Sequence, residues 1–205
     1  MPKQEVPIDH LANYLPAGTS NAVTSYLHTY KVHLTIAKER SSILGDYRHR
    51  TSGHNHRISV NGNLNTYSFL VTLLHELAHL LTFEKFGNRI QPHGREWKMV
   101  FGELLQQFLK EHTFPPDIEK ELMQSLHNPA ASSCAEEGLL RVLRKYDSPI
   151  KKGLLIEELQ QGNSFRTKDG RIFLKGEKLR KRFKCREVST GRDYLFSPVY
   201  EVELV

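Results

Sequence analysis

Two histidines and a glutamate form a short motif near the middle of the chain. Residues 75–79 read His-Glu-Leu-Ala-His, which is the H-E-x-x-H pattern. Residues four apart lie on one face of a helix, so His75 and His79 could bind the same zinc ion. Glu76 would lie about 100° around the helix axis, beside the metal rather than bound to it. There it could take a proton from a water whose pKa zinc lowers to about 7. The motif therefore predicts a catalytic zinc site.

The helix that carries this motif is otherwise apolar. Its apolar residues recur at helical spacing: Phe69, Leu70, Leu73, Leu74, Leu77, Leu80 and Leu81. We expect Thr66 to cap the start of the helix. Gly87 is expected to end it by adopting the left-handed backbone that helix ends favour. Histidine and glutamate side chains are costly to bury without partners, so their place in an apolar helix favours a metal site over solvated histidines.

A third metal ligand must come from another part of the chain, because a catalytic zinc usually has three protein ligands and one open position. The metzincin pattern would require glycine at position 82 and histidine at position 85. The chain has Thr82 and Lys85, which excludes that class. His93 is the best candidate, because a helix end and a short loop turn the chain back toward the motif. Glu96 and Glu103 are alternatives, and either would give a His-His-Glu site.

Short strands are predicted before the motif, and further helices are predicted around it. The predicted strands are residues 31–37, 45–50 and 56–60. The predicted helices besides the motif helix are residues 94–110, 117–126, 136–146 and an interrupted stretch at 9–30. The helix at 94–110 has an apolar face made of Trp97, Val100, Phe101, Leu104, Leu105 and Phe108. His49, His54 and His56 precede the third strand and are expected to be exposed loop residues rather than a second metal site.

The last fifth of the chain changes to short apolar and aromatic runs. Asp169-Gly170, Gly176 and Gly191 separate these runs, which is typical of β-hairpins. Residues 162–205 contain 11 Lys and Arg against 6 Asp and Glu, a net charge of +5 in a chain of net +6. Most of the basic excess therefore lies in this region.

A cluster of basic residues lies inside this C-terminal region. Arg180, Arg182, Lys184 and Arg186 alternate with other residues and could lie on one face of a strand, where they could follow a phosphate backbone. The alternative is a solvated strand whose charges protect a sheet edge. Phosphate contacts position a protein without specifying sequence, so no sequence preference follows.

The composition is ordinary for a globular protein, with 39% hydrophobic and 25% charged residues in a chain of 205. Cys134 and Cys185 are the two cysteines, so neither a disulfide framework nor a Cys-x-x-Cys zinc site is expected. The first residues lack the apolar run of a signal peptide. The most apolar stretch, residues 69–83, is too short and too charged to cross a bilayer. We therefore expect a cytoplasmic protein with no membrane partner.

Beyond the general motif, the sequence resembles the SprT-like family of zinc metallopeptidases over about residues 20–110. The segments that carry the resemblance are residues 36–40, 44–48, 58–61, 75–79, 86–87 and 92–98. The last of these reads Pro-His-Gly-Arg-Glu-Trp-Lys. The two histidine motifs at their mutual spacing are the specific part of the likeness.

The resemblance implies an α+β fold with a minimal zincin-like domain, in which a small three-stranded sheet packs on the helices that carry the motif and a third histidine. It implies that His75, His79 and His93 bind zinc and that Glu76 is the catalytic acid and base of a metalloendopeptidase acting on proteins or peptides. Spartan-type members of the family are DNA-dependent proteases that cleave proteins crosslinked to DNA, so DNA is a further expected partner. Many relatives also carry a C-terminal zinc ribbon with four cysteines. This region has only Cys185, so a second zinc is not expected.

Three segments are predicted: a SprT-like zincin domain at residues 1–128, a helical linker at 129–161, and a small basic β-hairpin domain at 162–205, ribbon-like without the cysteines. The first hypothesis is a zinc metalloendopeptidase acting on proteins associated with DNA. The alternative is a non-proteolytic nucleic-acid-binding accessory protein that uses the zincin domain as a scaffold. A third hypothesis is a peptidase with no nucleic-acid role.

Overall fold

The computed structural model describes residues 8–40, 42–126, 129, 134, 136–148 and 153–205. The chain divides into two compact units, Met1–Tyr146 and Asp147–Val205. The helix predicted within the linker packs on the preceding helix in the first unit, whereas the strand at Leu154–Leu155 belongs to the sheet of the second unit. The predicted boundaries at residues 128 and 161 stay predictions.

The first unit contains a three-stranded sheet. Its strands are β1 (His33–Ala37), β2 (Gly45–Arg48) and β3 (Arg57–Asn61), arranged in the order β1–β3–β2. β3 is parallel to β1 and antiparallel to β2. β2 therefore forms one edge of the sheet. The predicted α+β class and the small three-stranded sheet are confirmed.

The helices of the first unit lie close to their predicted positions. They are α1 (Ser20–Thr29), α2 (Thr66–Phe86), α3 (Arg95–Lys110), α4 (Pro116–Ser125) and α5 (Glu137–Leu143), with 3₁₀ helices at Ile8–Tyr14 and Arg144–Tyr146. Over the part of the chain that the structure describes, no helix combines the length and apolar character needed to cross a membrane.

α2 lies at the centre of the first unit. It packs against β2 and β3 on one side and against α3 on another. All side chains from Ser68 to Ala78 are buried, as expected for a helix that is apolar on nearly every face. The six residues predicted for the apolar face of α3 are also all buried. α2 and α3 thus lie in one hydrophobic core. The prediction that a helix carries the third histidine is wrong, because α3 begins at Arg95 and His93 lies in the loop before it, with a positive φ.

The start of α2 differs by one residue from the prediction. Asn65, not Thr66, is the N-cap, and its side-chain oxygen accepts a hydrogen bond from Ser68 N at 2.9 Å. An N-cap must lie outside the helix in extended backbone, and Asn65 does so with ψ 160°. Gly87 ends the helix at the predicted place and has a positive φ of 77°, but its ψ of −166° is extended and not that of the left-handed helical conformation.

The second unit contains a six-stranded antiparallel sheet in the order β4–β9–β5–β6–β7–β8. The strands are β4 (Leu154–Leu155), β5 (Ser164–Arg166), β6 (Ile172–Leu179), β7 (Arg182–Glu187), β8 (Asp193–Phe196) and β9 (Glu201–Leu204). Its own core consists of Ile156, Leu159, Phe165, Phe173, Phe183, Cys185 and Val202. Lys175 is also buried, and its Nζ donates to Leu159 O and lies 4.2 Å from the centroid of the Phe183 ring.

Candidate metal centre

Three imidazole nitrogens converge in the first unit. Nε2 of His93 lies 3.1 Å from Nε2 of His75 and 2.9 Å from Nε2 of His79. Among the described residues, these histidines are the one group of three or more metal-binding side chains whose ligand atoms all lie within 4.8 Å of each other. Glu96 and Glu103, the alternative third ligands, lie outside this group. The three histidines could therefore hold a metal ion.

The protonation state of this site suits metal binding. Burial, with a smaller contribution from neighbouring histidines, lowers the pKa of His75 to about 3 and that of His79 to about 4. Burial also lowers the pKa of His93. Near pH 7 the rings are therefore neutral, as metal ligands must be. Zinc with bonds of about 2.0–2.1 Å in tetrahedral geometry holds its ligand atoms about 3.3 Å apart. The two distances from Nε2 of His93, 3.1 and 2.9 Å, are within a few tenths of an ångström of this spacing.

His93 reaches the site from the loop between α2 and α3. The chain leaves α2 at Gly87, turns, and enters α3 at the N-cap Gly94, whose N–H donates to Gln91 O at 3.0 Å. His93 has φ 57°, a conformation uncommon for residues other than glycine. This turn brings its ring to those of the α2 histidines.

Trp97 packs against all three histidine rings. The distances between its ring centroid and theirs are 4.6 Å for His75, 5.2 Å for His79 and 4.7 Å for His93. It is 1% exposed and stacks on Phe101 at 5.0 Å. Its indole nitrogen is buried and has no hydrogen-bond partner within the described part of the chain. The sequence pattern assigned Trp97 only to the core, although its spacing of four residues from His93 could have indicated a place at the site.

Glu76 is buried beside the histidines and is 5% exposed. Burial raises the pKa of its carboxyl to about 8; Asp46 contributes to this increase, and Arg40 opposes it. A divalent cation held by the histidines would favour the carboxylate and so act against the shift. A carboxyl that is buried next to a metal site and poised near neutral pH is suited to accept and return a proton.

A cleft of about 780 Å³ opens over the three histidines and Glu76. This volume lies in the range typical of ligand-binding pockets. One wall is β2, and the loop before His93 lines another part. The ring of Tyr47 stacks on that of His79 with centroids 6.3 Å apart, and the ring of His49 stacks on that of Phe83 at 4.8 Å. β2 and the residues after it therefore follow α2 along the cleft.

The prediction that His49, His54 and His56 are exposed loop residues is wrong for His56. His49 and His54 are exposed, but His56 is 2% exposed. Its Nδ1 lies 2.9 Å from the hydroxyl of Tyr47, and its Nε2 lies 3.2 Å from Oε1 of Glu84. A histidine with partners for both ring nitrogens can be buried in the neutral form.

The basic cluster of the second unit is divided between a turn and a strand. Arg182, Lys184 and Arg186 alternate along β7, so their side chains share one face of the sheet. Arg180 lies in the turn before β7, with φ 45°. Lys184 and Arg186 form ion pairs with Asp193 on β8 at 3.0 and 3.1 Å. Three of the four predicted residues are therefore brought together on one face.

Comparison with known proteins gives matches to SprT proteins. Protein SprT of Glaesserella parasuis serovar 5 (strain SH0165) is 61% identical over 31 residues, which are 15% of this chain and 19% of that protein. Protein SprT of Pseudomonas fluorescens (strain Pf0-1) is 54% identical over 37 residues, 18% of this chain and 23% of that protein. The matches thus span about a fifth of the length of these curated relatives. No solved structure matches the chain.

The wider match comes from a family model. The SprT-like family model matches residues 15–119, which are just over half of the 205 residues. This range includes the three-stranded sheet, α2, α3 and all three histidines. The chain therefore belongs to the SprT-like family.

Proposed function

We propose that this protein is a zinc-dependent metalloendopeptidase with a zincin-like catalytic domain. The observation that carries this proposal is the meeting of three Nε2 atoms beside a buried glutamate at the floor of an open cleft. His75, His79 and His93 would hold the metal. Bound there, zinc would supply Lewis-acid chemistry that polarises a peptide carbonyl and acidifies water.

Glu76 would move the protons of the reaction. Its carboxylate takes a proton from the attacking water and later gives a proton to the nitrogen of the departing amine. Trp97 keeps the three imidazole rings packed and excludes water from their inner side.

The open edge of β2 offers a place for an extended polypeptide. Asn61 N donates to Leu44 O at 2.9 Å, and antiparallel hydrogen bonds alternate along a strand. The backbone N–H and C=O groups of Gly45 and of Tyr47 are therefore directed away from β3. Both residues line the cleft. A substrate strand could pair with these groups and place a peptide bond over the metal centre.

Replacement of the proposed catalytic carboxyl tests this mechanism. In Glu76→Gln the shape is kept and the proton acceptor is lost. We expect kcat for cleavage of an unfolded protein to fall about 100- to 10,000-fold. Zinc content, measured by metal analysis, should stay at the wild-type value because Glu76 is not a ligand. Glu96→Gln, the same change outside the histidine group, should retain activity. Full activity in Glu76→Gln would refute the mechanism.

A second candidate function is nucleic-acid binding, either alone or together with proteolysis of proteins bound or crosslinked to DNA. The observation that favours it is the row of Arg182, Lys184 and Arg186 on one face of β7. Arg182→Ala should weaken DNA binding and reduce its salt dependence, whereas Arg192→Ala, outside the row, should change little. An assay of self-cleavage with and without DNA and chelator separates a DNA-dependent protease, a DNA-independent peptidase and a non-proteolytic binding protein.

A further inference from the structure

The edge strand β2 approaches α2 most closely at Gly45. A Cβ atom at this position would lie 2.5 Å from Oε1 of Glu76, 2.9 Å from its Cγ and 2.8 Å from Cγ2 of Thr72. Gly45 does not have the left-handed backbone that favours glycine. The absence of a side chain is therefore required by the contact with α2 and not by the conformation of the strand.

The strand cannot easily move away to make room for a side chain. Asn61 is 1% exposed, and its Nδ2 donates to Ile43 O at 3.0 Å and to Arg40 O at 3.2 Å. Arg40 in turn donates from Nε to Asn61 Oδ1 at 2.7 Å. Asn61 N donates to Leu44 O at 2.9 Å. These bonds hold the segment just before Gly45 against β3.

The side chain that can yield at this contact is that of Glu76. Its carboxylate is the far end of a flexible side chain, whereas Cγ2 of Thr72 is attached to a rigid β-branched residue of a buried helix. An added methyl group would therefore displace the carboxylate, and its overlap with Cγ2 of Thr72 would also lower stability. The same displacement would move the group that is proposed to transfer protons.

We propose that Gly45 is a positioning residue for Glu76. Because Gly45 has no side chain, the Glu76 carboxylate can occupy its present place in the cleft beside β2. This inference rests on the proposed function of Glu76. It adds a residue on a different element, the strand that is also the proposed substrate edge. A single glycine would thus set the distance between the substrate strand and the catalytic carboxylate.

The test compares Gly45→Ala with Gly53→Ala. Gly53 lies in the loop between β2 and β3, and a Cβ there meets nothing within 4 Å. We expect kcat of Gly45→Ala to fall on the order of 100-fold, as for a catalytic group misplaced by about 1 Å. KM and zinc content should stay near those of the wild type, whereas the melting temperature should fall because the methyl group also overlaps Thr72. Gly53→Ala should match the wild type in every measurement. A wild-type kcat in Gly45→Ala would overturn the inference.

Two second-site variants identify the contact that matters. Glu76→Ala removes both Cγ and the carboxylate, so adding Gly45→Ala to it should cause little further loss of the residual kcat. Thr72→Ser removes Cγ2, so adding Gly45→Ala to it should still cause the full loss. A full further loss in the Glu76→Ala background, or none in the Thr72→Ser background, would contradict a role through Glu76.

A crystal structure of Gly45→Ala tests the inference without a measurement of enzyme activity. We expect the Glu76 carboxylate to be displaced while the three histidines keep their places. An unmoved carboxylate would overturn the inference. A wild-type protein that cleaves no polypeptide when loaded with zinc would count against the proposed function, and the crystal structure would still decide the role of Gly45.

Discussion

His93 adopts a backbone conformation that is unfavourable for histidine. A positive φ at a non-glycine residue costs on the order of 1–3 kcal/mol and persists only where the surroundings enforce it. Here the enforcing features are the end of α2 at Gly87 and the start of α3 at Gly94. The strain lies at the one proposed metal ligand that does not come from the H-E-x-x-H motif. A metal bond to His93 would offset part of this cost.

Replacement of His93 by asparagine should distinguish the effect of losing the imidazole ligand from the effect of the backbone strain. Asparagine tolerates positive φ better than most residues but has no imidazole. We expect His93→Asn to lower zinc affinity by at least about 100-fold, because even changes to residues that support a ligand lower it 10- to 100-fold. The melting temperature of the metal-free protein should stay at or above the wild-type value. Competition titration with a chromogenic chelator and thermal melts in excess chelator measure the two effects.

The control for this variant is His93→Ala, which lacks both the ring and the tolerance of positive φ. It should lose zinc to the same extent and should also melt at a lower temperature without metal. Wild-type zinc affinity in His93→Asn would mean that another side chain, such as Glu96, supplies the third ligand.

At the scale of elements, helices α2 and α3 could be predicted almost completely from the sequence. Their apolar residues recur with helical period, and Gly87 marks the end of α2, so local information was sufficient. The meeting of His75 and His79 followed from the same period. His93 could be proposed because a short loop allows few directions of return.

The arrangement of the sheet could not be predicted in the same way. The central position of β3, its parallel pairing with β1 and the place of β2 at the edge depend on contacts between distant segments. For the same reason the approach of Gly45 to Glu76 and the burial of His56 had no local signal. His56 was predicted only as the first residue of a strand after a polar loop, whereas its burial depends on its partners Tyr47, Glu84 and the backbone N–H of Arg50.

The buried His56 should make stability depend on pH. Burial lowers its pKa, and although Glu84 acts in the opposite direction, Arg50 and His49 lower it further. In the unfolded chain His56 takes up a proton near its ordinary pKa of 6.5, whereas the folded form resists protonation. Its contribution is therefore present above pH 6.5 and is lost as the pH falls below that value. Neutral His56 would accept from Tyr47 O–H at Nδ1 and donate from Nε2 to Glu84.

We expect the stability difference between wild type and His56→Gln to shrink as the pH is lowered from 7.5 to 5.5. Glutamine can make hydrogen bonds at this position but does not titrate. Urea unfolding of both proteins, with excess chelator at every pH, measures the difference without interference from metal binding. A difference that stays constant or grows at low pH would show that His56 is protonated in the folded protein.

At the scale of the whole molecule, the two units have separate cores and separate proposed roles. The metal centre and its cleft lie in the first unit. Residues 147–205 contain 13 Lys and Arg against 9 Asp and Glu, a net charge of +4 in a chain of net +6, so the field that would attract an anionic partner originates mainly in the second unit. The proposed bond cleavage and the proposed attraction of a polyanion thus belong to different units of the chain.

Separate cores predict that removing the metal destabilises only one unit. Trp97 is the only tryptophan of the chain and lies against the three histidines, so its fluorescence reports the first unit. Cys185 is fully buried in the core of the second unit. In a Cys134→Ser background it is the only thiol, so its labelling reports opening of that core.

A ligand at 1,000 times its dissociation constant stabilises the folded state by about 4 kcal/mol. Chelator should therefore move the urea midpoint of Trp97 fluorescence downward and leave the labelling of Cys185 unchanged. If chelator lowered the urea midpoint and also accelerated the labelling of Cys185, the two cores would unfold as one cooperative structure. The assignment of the metal's effect to the first unit would then be wrong.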